Sequence, residues 1–287
     1  MTSLNRRASI WSKMAAVAAS AAVATLSLPP SAAAVDGVIE VNQASVEAGD
    51  GFPIQLIDGS YRLTSNLVVP VGTTGVVLSN ATLDLNGFAI IGPGTCTLQV
   101  PYDATSIICT SGSGYGISIQ GGSTLRNGRI RGFASGGIYT DTQYYNSVTI
   151  EDVHVVGNGG PGITLYQGVV RDSHIEGNGG DGITNCACGA ANLGTIIERN
   201  VVVFNKGNGI KVSGLIRDNR IDYNGIAGII SSGGSPMRVN GNMIYRNKGF
   251  GINASGGGSY WGNHLEGNNA NGAQTSGTLA DMGANDD

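Results

Sequence analysis

All three histidines of this sequence, His154, His174 and His264, fall at one offset of a repeating pattern. The column they share reads Arg129, His154, His174, Val201, Arg220, Met243, His264. Two residues further on, a second column reads Arg131, Val156, Glu176, Val203, Asp222, Tyr245, Glu266. On a β-strand, residues two apart point to the same side. The two columns therefore describe one face carrying His154, His174, Glu176, Arg220, Asp222 and Tyr245. An imidazole titrates near neutrality and suits general-base work. His154 or His174 could take a proton next to a uronate carboxylate, while Arg220 or Arg129 neutralised that carboxylate as a bidentate partner. Glycoside hydrolysis would need two carboxylates about 5.5 Å apart for retention, or about 6.5–9.5 Å for inversion. Glu176 and Asp222 lie two repeats apart, or about 10 Å at strand spacing, slightly long for inversion. A merely polar, solvated sheet face would use the same residue types.

The elements that position these groups are repeats. Gly-Ile pairs begin at Gly116, Gly137, Gly162, Gly182, Gly209, Gly228 and Gly251. Four residues before the last five stand Asn158, Asn178, Asn205, Asn224 and Asn247, and Asn268 precedes Gly272 in the same way. Apolar residues recur eight and three residues before each Asn, as at Ile197 and Val202 before Asn205. An earlier copy puts Phe133 in the Asn position. A spacing near 22 residues with three short apolar stretches predicts one solenoid coil of three strands and three turns per repeat. The Asn residues should form amide ladders from coil to coil, with a second column at Asn200, Asn219, Asn242 and Asn263, and should tolerate left-handed turn geometry. Gly is expected to supply positive φ where the chain turns. A third outward column, Arg126, Glu151, Arg171, Glu198, Arg217, Asn240, Trp261, alternates in charge and predicts cross-strand ion pairs.

Composition agrees. Gly contributes 47 of 287 residues and charged residues only 13%, which excludes a coiled coil and disfavours long helices. Residues 1–34 read as a signal peptide: Arg6, Arg7 and Lys13, an apolar run from Met14 to Leu28, then Ala32-Ala33-Ala34. The Arg6-Arg7 pair leaves Sec and twin-arginine export both open. Cleavage there removes three basic and no acidic residues, taking the net charge from −4 to −7. An acidic mature chain argues against nucleic acid as a partner. No other segment reads as a membrane span, and the chain is expected to be a monomer.

The Asn-x-x-x-Gly-Ile repeats resemble those of right-handed parallel β-helix proteins, the pectin-lyase-like superfamily. Gly59 to Leu67 (Gly-Ser-Tyr-Arg-Leu-Thr-Ser-Asn-Leu) and Thr82 to Phe88 (Thr-Leu-Asp-Leu-Asn-Gly-Phe) are similar to the first coils of exported bacterial members. The resemblance covers roughly residues 50–272 and implies an all-β, right-handed parallel β-helix with three short strands per coil. The expected organisation is an N-terminal cap at 35–60, the β-helix at 61–272 and a polar C-terminal tail at 273–287. The superfamily hosts lyases, hydrolases, epimerases and adhesins, so fold alone does not choose an activity. Its enzyme signatures, such as the Asp-Pro-His-Asp of alginate epimerases, are absent. The functional expectation is an exported protein that binds, and if catalytic cleaves by a lyase-like route, a polysaccharide. The alternative is a non-catalytic cell-surface scaffold or adhesin.

Two insertions, near 139–147 and 184–195, follow equivalent strands two coils apart. Tyr139, Tyr144 and Tyr145 in the first, with Tyr166 between the two, are candidate sugar-stacking groups. Arg129 and Tyr245 are added as carbohydrate-binding candidates. Four cysteines in an exported chain favour disulfides. Cys96 and Cys109 bracket one loop and are paired first; Cys186 and Cys188 form a small ring or reach elsewhere. No cofactor is expected, although Asp152 and Asp172, at one offset on adjacent coils, could bind Ca²⁺.

Overall fold

The computed structural model describes residues 37–99, 103–110, 112–140, 148–185, 194–232 and 236–286. They form a parallel β-solenoid of about ten turns. Each coil runs through three sheets. Sheet I contains Gly136–Thr140, Ile163–Leu165, Ile183–Asn185 and Ile210–Lys211, each paired in parallel with the next. Sheet II contains the first part of Val148–Val156, then Gly168–Arg171, Ile196–Glu198 and Gly214–Arg217. Sheet III contains the end of Val148–Val156, then His174–Glu176, Val201–Val203, Arg220–Asp222, Met243–Tyr245 and His264–Glu266. The expected apolar positions face inward. Ile163, Val170 and Ile175 of one coil, one from each sheet, are fully buried. Stacked identically from coil to coil, they make one continuous core.

Both Asn ladders form. In the first, the backbone N–H and side-chain Nδ2 of each Asn donate to Oδ1 of the next, as Asn205 does to Asn224 at 3.1 Å each. Nδ2 also reaches back to a carbonyl of the preceding coil, Ile175 O at 3.1 Å for Asn205. The second ladder runs Asn200, Asn219, Asn242, Asn263 in the same sense. Gln274 ends the first by accepting from Asn268, and Asn285 ends the second by accepting from Asn263. Phe133 fills the Asn position of the earlier copy and is 1% exposed.

Glycines do supply positive φ at turns, as at Gly157, Gly177, Gly241, Gly262 and Gly267. The ladder Asn residues and the Gly-Ile glycines do not have positive φ; other left-handed residues are Asp172, Arg199, Phe204, Tyr223 and Arg246. The Gly-Ile glycines are required instead by close approach. A Cβ on Gly182 would lie 2.5 Å from Val202 Cγ1 and 2.6 Å from Gly209 O.

The ends of the stack are more ordered than the sequence suggests. Within the segment expected as a cap, Val38–Val41 already pairs in parallel with Ser60–Leu63. A helix, Gln43–Ala48, follows, with a reciprocal capping box between Asn42 and Ser45. Within the expected polar tail, Thr275–Asp281 adds a parallel strand against Ile252–Trp261. Its apolar Leu279 packs on the core, which is why a largely polar segment pairs. Among the described residues no helix is long and apolar enough to cross a membrane.

Cys96 and Cys109 form a disulfide that closes an antiparallel hairpin, Cys96–Leu98 with Ile107–Cys109. Cys186 and Cys188 lie outside the described residues. The hairpin is a strap laid along several coils. Cys109 Sγ sits 3.8 Å from Asn158 O, Lys206 Nζ donates to Ile107 O at 3.0 Å, and Lys248 Nζ donates to Thr105 Oγ1 at 3.1 Å. The closed loop is short, so the disulfide restricts the strap by about 3 kcal/mol. Replacing both cysteines by Ser should raise hydrogen exchange in residues 103–110 while leaving the solenoid amides protected. Exchange unchanged in the strap would show that the lysine contacts alone hold it.

Candidate functional site

The outer face of sheet III carries the chemistry. Strand register sets Arg129, His154, His174 and Val201 side by side on four successive strands. Glu176 stands two residues after His174 on the same strand and faces the same way. The rings of His154 and His174 are 4.6 Å apart. Glu176 Oε2 is 3.0 Å from His174 Nε2 and 3.7 Å from His154 Nε2. Arg129 Nη2 lies 3.2 Å from His154 Nδ1.

That last contact fixes a proton. A guanidinium only donates, so Nδ1 of His154 accepts and the ring hydrogen of the neutral imidazole sits on Nε2. Nε2 is buried and has no hydrogen-bond partner; the Glu176 carboxylate is the nearest charge on that side. Burial, then the neighbouring His174 and Arg129, push the His154 pKa below its ordinary value, against the opposing pull of Glu176. His154 is thus held neutral beside a cation.

An open groove of about 830 Å³ runs over this face and the adjoining turns. Besides Arg129, His154 and His174 it is lined by Asp152, Asp172 and Arg199. Arg199 binds both oxygens of Asp172, at 2.8 and 2.9 Å, and holds its pKa down. A cation at Asp152 and Asp172 would have to displace Arg199. His154, His174 and Glu176 offer a second donor set, with ligand atoms all within 4.8 Å of one another. Arg129 works against a metal there, because it leaves a proton rather than a lone pair on the Nε2 that faces the cluster.

The other sequence candidates do not all join. Asp222 lies on this face, two strands beyond Glu176, but is 2% exposed and bound to Arg220 Nε at 2.5 Å. Burial raises its pKa against the pull of Arg220. Arg220 is likewise two strands from His174, so Arg129 is the guanidinium beside the imidazoles. Asp222 and Glu176 therefore do not flank a common substrate position. Tyr245 is one strand further along, and His264 pairs with Asp286 at 2.7 Å. Tyr139 projects from sheet I, stacked on Tyr115 at 4.9 Å, and does not share the histidine face. Tyr166 is buried, at 8% exposure, at the corner after Leu165. Tyr144 and Tyr145 lie outside the described residues. On sheet II the expected cross-strand ion pairs form in part, Arg171 on Glu151 and Arg217 on Glu198, while Arg126 pairs with Asp84.

Sequence reading missed the column just before each ladder Asn: Gly157, Gly177, Phe204, Tyr223, Arg246, Gly267. These left-handed residues edge sheet III on the side of the strap. Phe204 and Tyr223 stack at 5.1 Å with ring planes 8° apart, and Arg246 donates to the Tyr223 hydroxyl at 2.6 Å. The signal was available: the same offset that gave the Asn ladder gives this column one residue earlier.

Comparison with solved structures shows the fold in other proteins. The periplasmic alginate epimerase AlgG superposes with a TM-score of 0.53 at 15% identity, over 79% of this chain and 64% of that chain. This chain thus spans less than two thirds of that epimerase. An alginate lyase from Paenibacillus sp. superposes with a TM-score of 0.47 at 18% identity, over 88% of this chain and 100% of that chain. At these identities the likeness is one of fold. No curated protein matches the sequence. The model of the right handed beta helix region matches residues 54–215, more than half of the chain. With its coils, core and ladders as described, the chain belongs to the right-handed β-helix family.

Proposed function

We propose that this is an exported protein that binds an acidic polysaccharide on the outer face of sheet III and removes a proton next to a uronate carboxylate. The observation that carries this reading is the contact of Arg129 with Nδ1 of a neutral His154. An arriving carboxylate competes for Arg129, because a bidentate guanidinium–carboxylate pair is stronger than its bond to a neutral imidazole. Once Arg129 turns to the substrate, Nδ1 is free as a base. The resulting imidazolium has Glu176 close to its Nε2–H, and charge forming there meets a carboxylate already in position. In a lyase reaction the C5 proton goes to His154, its electron pair forms the C4–C5 double bond, and the C4–O bond breaks. The departing oxygen takes a proton from solvent. The negative mature charge does not oppose this, since Arg129, Arg131 and Arg199 gather at the groove.

The test follows unsaturated-product absorbance and new reducing ends together on alginate, polygalacturonate and a neutral glucan. Alginate comes first because the epimerase and the lyase of the same fold act on it. Both signals on a uronate polymer, lost in His154→Ala by about 10²-fold or more, are expected. The base must be neutral to act. Its lowered pKa puts the midpoint of the acid limb below the ordinary His value of 6.5, with rate rising as pH increases through it. Reducing ends without absorbance would indicate hydrolysis and remove His154 as base. Folded protein that neither reacts with nor binds any polymer would leave the scaffold or adhesin reading.

A further inference from the structure

Phe204 presents one open aromatic face, and the geometry points to a pyranose-stacking subsite there, directly beside the His174–Glu176 pair. This inference rests on the polysaccharide reading above and adds where one sugar sits. The separation of the Phe204 and Tyr223 rings, 5.1 Å and nearly parallel, is close to the spacing between coils. The two rings therefore stack from one coil to the next. Tyr223 covers one face of Phe204. The other face is on the side of the next residue in the column, Gly177, and beyond it Gly157. A Cβ on either glycine would meet nothing within 4 Å. The aromatic stack thus ends at Phe204 and is followed by two steps at which a Cβ would meet open space.

A hexopyranose offers a flat C–H face of the right size for such a ring. Seated on Phe204, it lies at the level of Gly177, which shares its coil with Glu176 and His174. The stacked sugar is thus the neighbour of the sugar at the imidazoles.

Two variants test this from opposite directions. Phe204→Ala removes the platform. Gly177→Tyr fills the open step, and the fold accommodates a side chain there: Phe204, Tyr223 and Arg246 hold the same left-handed conformation, with φ of 54, 54 and 50°. Binding of mannuronate, galacturonate and glucose tetramers to the mature protein is measured by calorimetry, with thermal melts to confirm folding. Each variant should weaken the tetramer that wild type binds by about threefold to tenfold, and Phe204→Trp should retain it. Wild-type affinity in both Phe204→Ala and Gly177→Tyr would overturn the subsite and leave the polysaccharide reading standing. Failure of the wild type to bind any tetramer or parent polymer would overturn both.

Discussion

Asn205→Ala is expected to destabilise the solenoid by about 4 kcal/mol, from several buried polar groups at about 1–3 kcal/mol each, tempered by relaxation. Asn205 is fully buried and sits in the middle of its ladder. Its Oδ1 accepts from the N–H and Nδ2 of Asn178, at 3.2 and 2.9 Å. Its Nδ2 donates to Ile175 O, Val203 O and Asn224 Oδ1. Alanine leaves all five partner groups without this amide. Asn205→Asp should also be severe, because it keeps the acceptor but loses the donors and buries a charge. Guanidinium unfolding followed by far-UV circular dichroism measures both. A loss below about 1 kcal/mol for Ala would be that of an ordinary substitution, and would mean that the ladder contributes register rather than stability.

Gly209→Ala should cost about 3 kcal/mol or more, at or beyond the upper end of ordinary overpacking penalties. The added methyl would lie 2.6 Å from Ile221 Cγ2, 2.7 Å from Gly228 O and 2.8 Å from Asn224 Nδ2. Two of these belong to the next coil's backbone and ladder, which cannot move without breaking their own bonds. Gly177→Ala is the control. Its Cβ enters open space, and only the left-handed φ of 63° opposes it, at about 1–2 kcal/mol. The two substitutions are chemically identical, so the difference in unfolding midpoint isolates contact from conformation. Equal midpoints would remove close approach as the reason for the Gly-Ile repeat.

That pair also shows what the sequence discloses. The offsets of Asn and Gly-Ile identify the coil, because a stack reuses one environment at each position and writes it repeatedly into the chain. The reason for each residue is less visible. Glycine at Gly209 and glycine at Gly177 look alike in sequence, yet one is excluded space and the other a missing side chain. The histidine face was legible for the same reason as the core: strand alternation carries parity from residue to residue. At corners that parity is lost, and there the reading failed. Tyr166, one residue past a strand, is buried without joining the core cluster, and Phe204, one residue past another, stands beside the proposed site. Asp222 shares its column with Glu176, but the column says nothing of burial, which depends on the size of neighbours such as Tyr245 and Arg220. The proton position on His154 depends on one contact across 25 residues of sequence, beyond the reach of any repeat.

The ladders have a polarity. From Asn158 to Asn268, and from Asn200 to Asn263, the ladder bonds all run to Oδ1 in the coil that follows in sequence, while Nδ2 also donates back to a carbonyl of the coil before. A stack built only part of the way therefore ends, at its later edge, in ladder donors that lack their Oδ1 acceptors. During synthesis that edge is a template: the next coil is the acceptor it lacks, and satisfying it creates the same demand one layer on. The process behaves like a chain polymerisation with a living end, and Gln274 and Asn285 are its terminating groups, since each accepts from the last Asn of its column. Removal of either would leave the solenoid with an active edge, able to recruit a coil from another molecule.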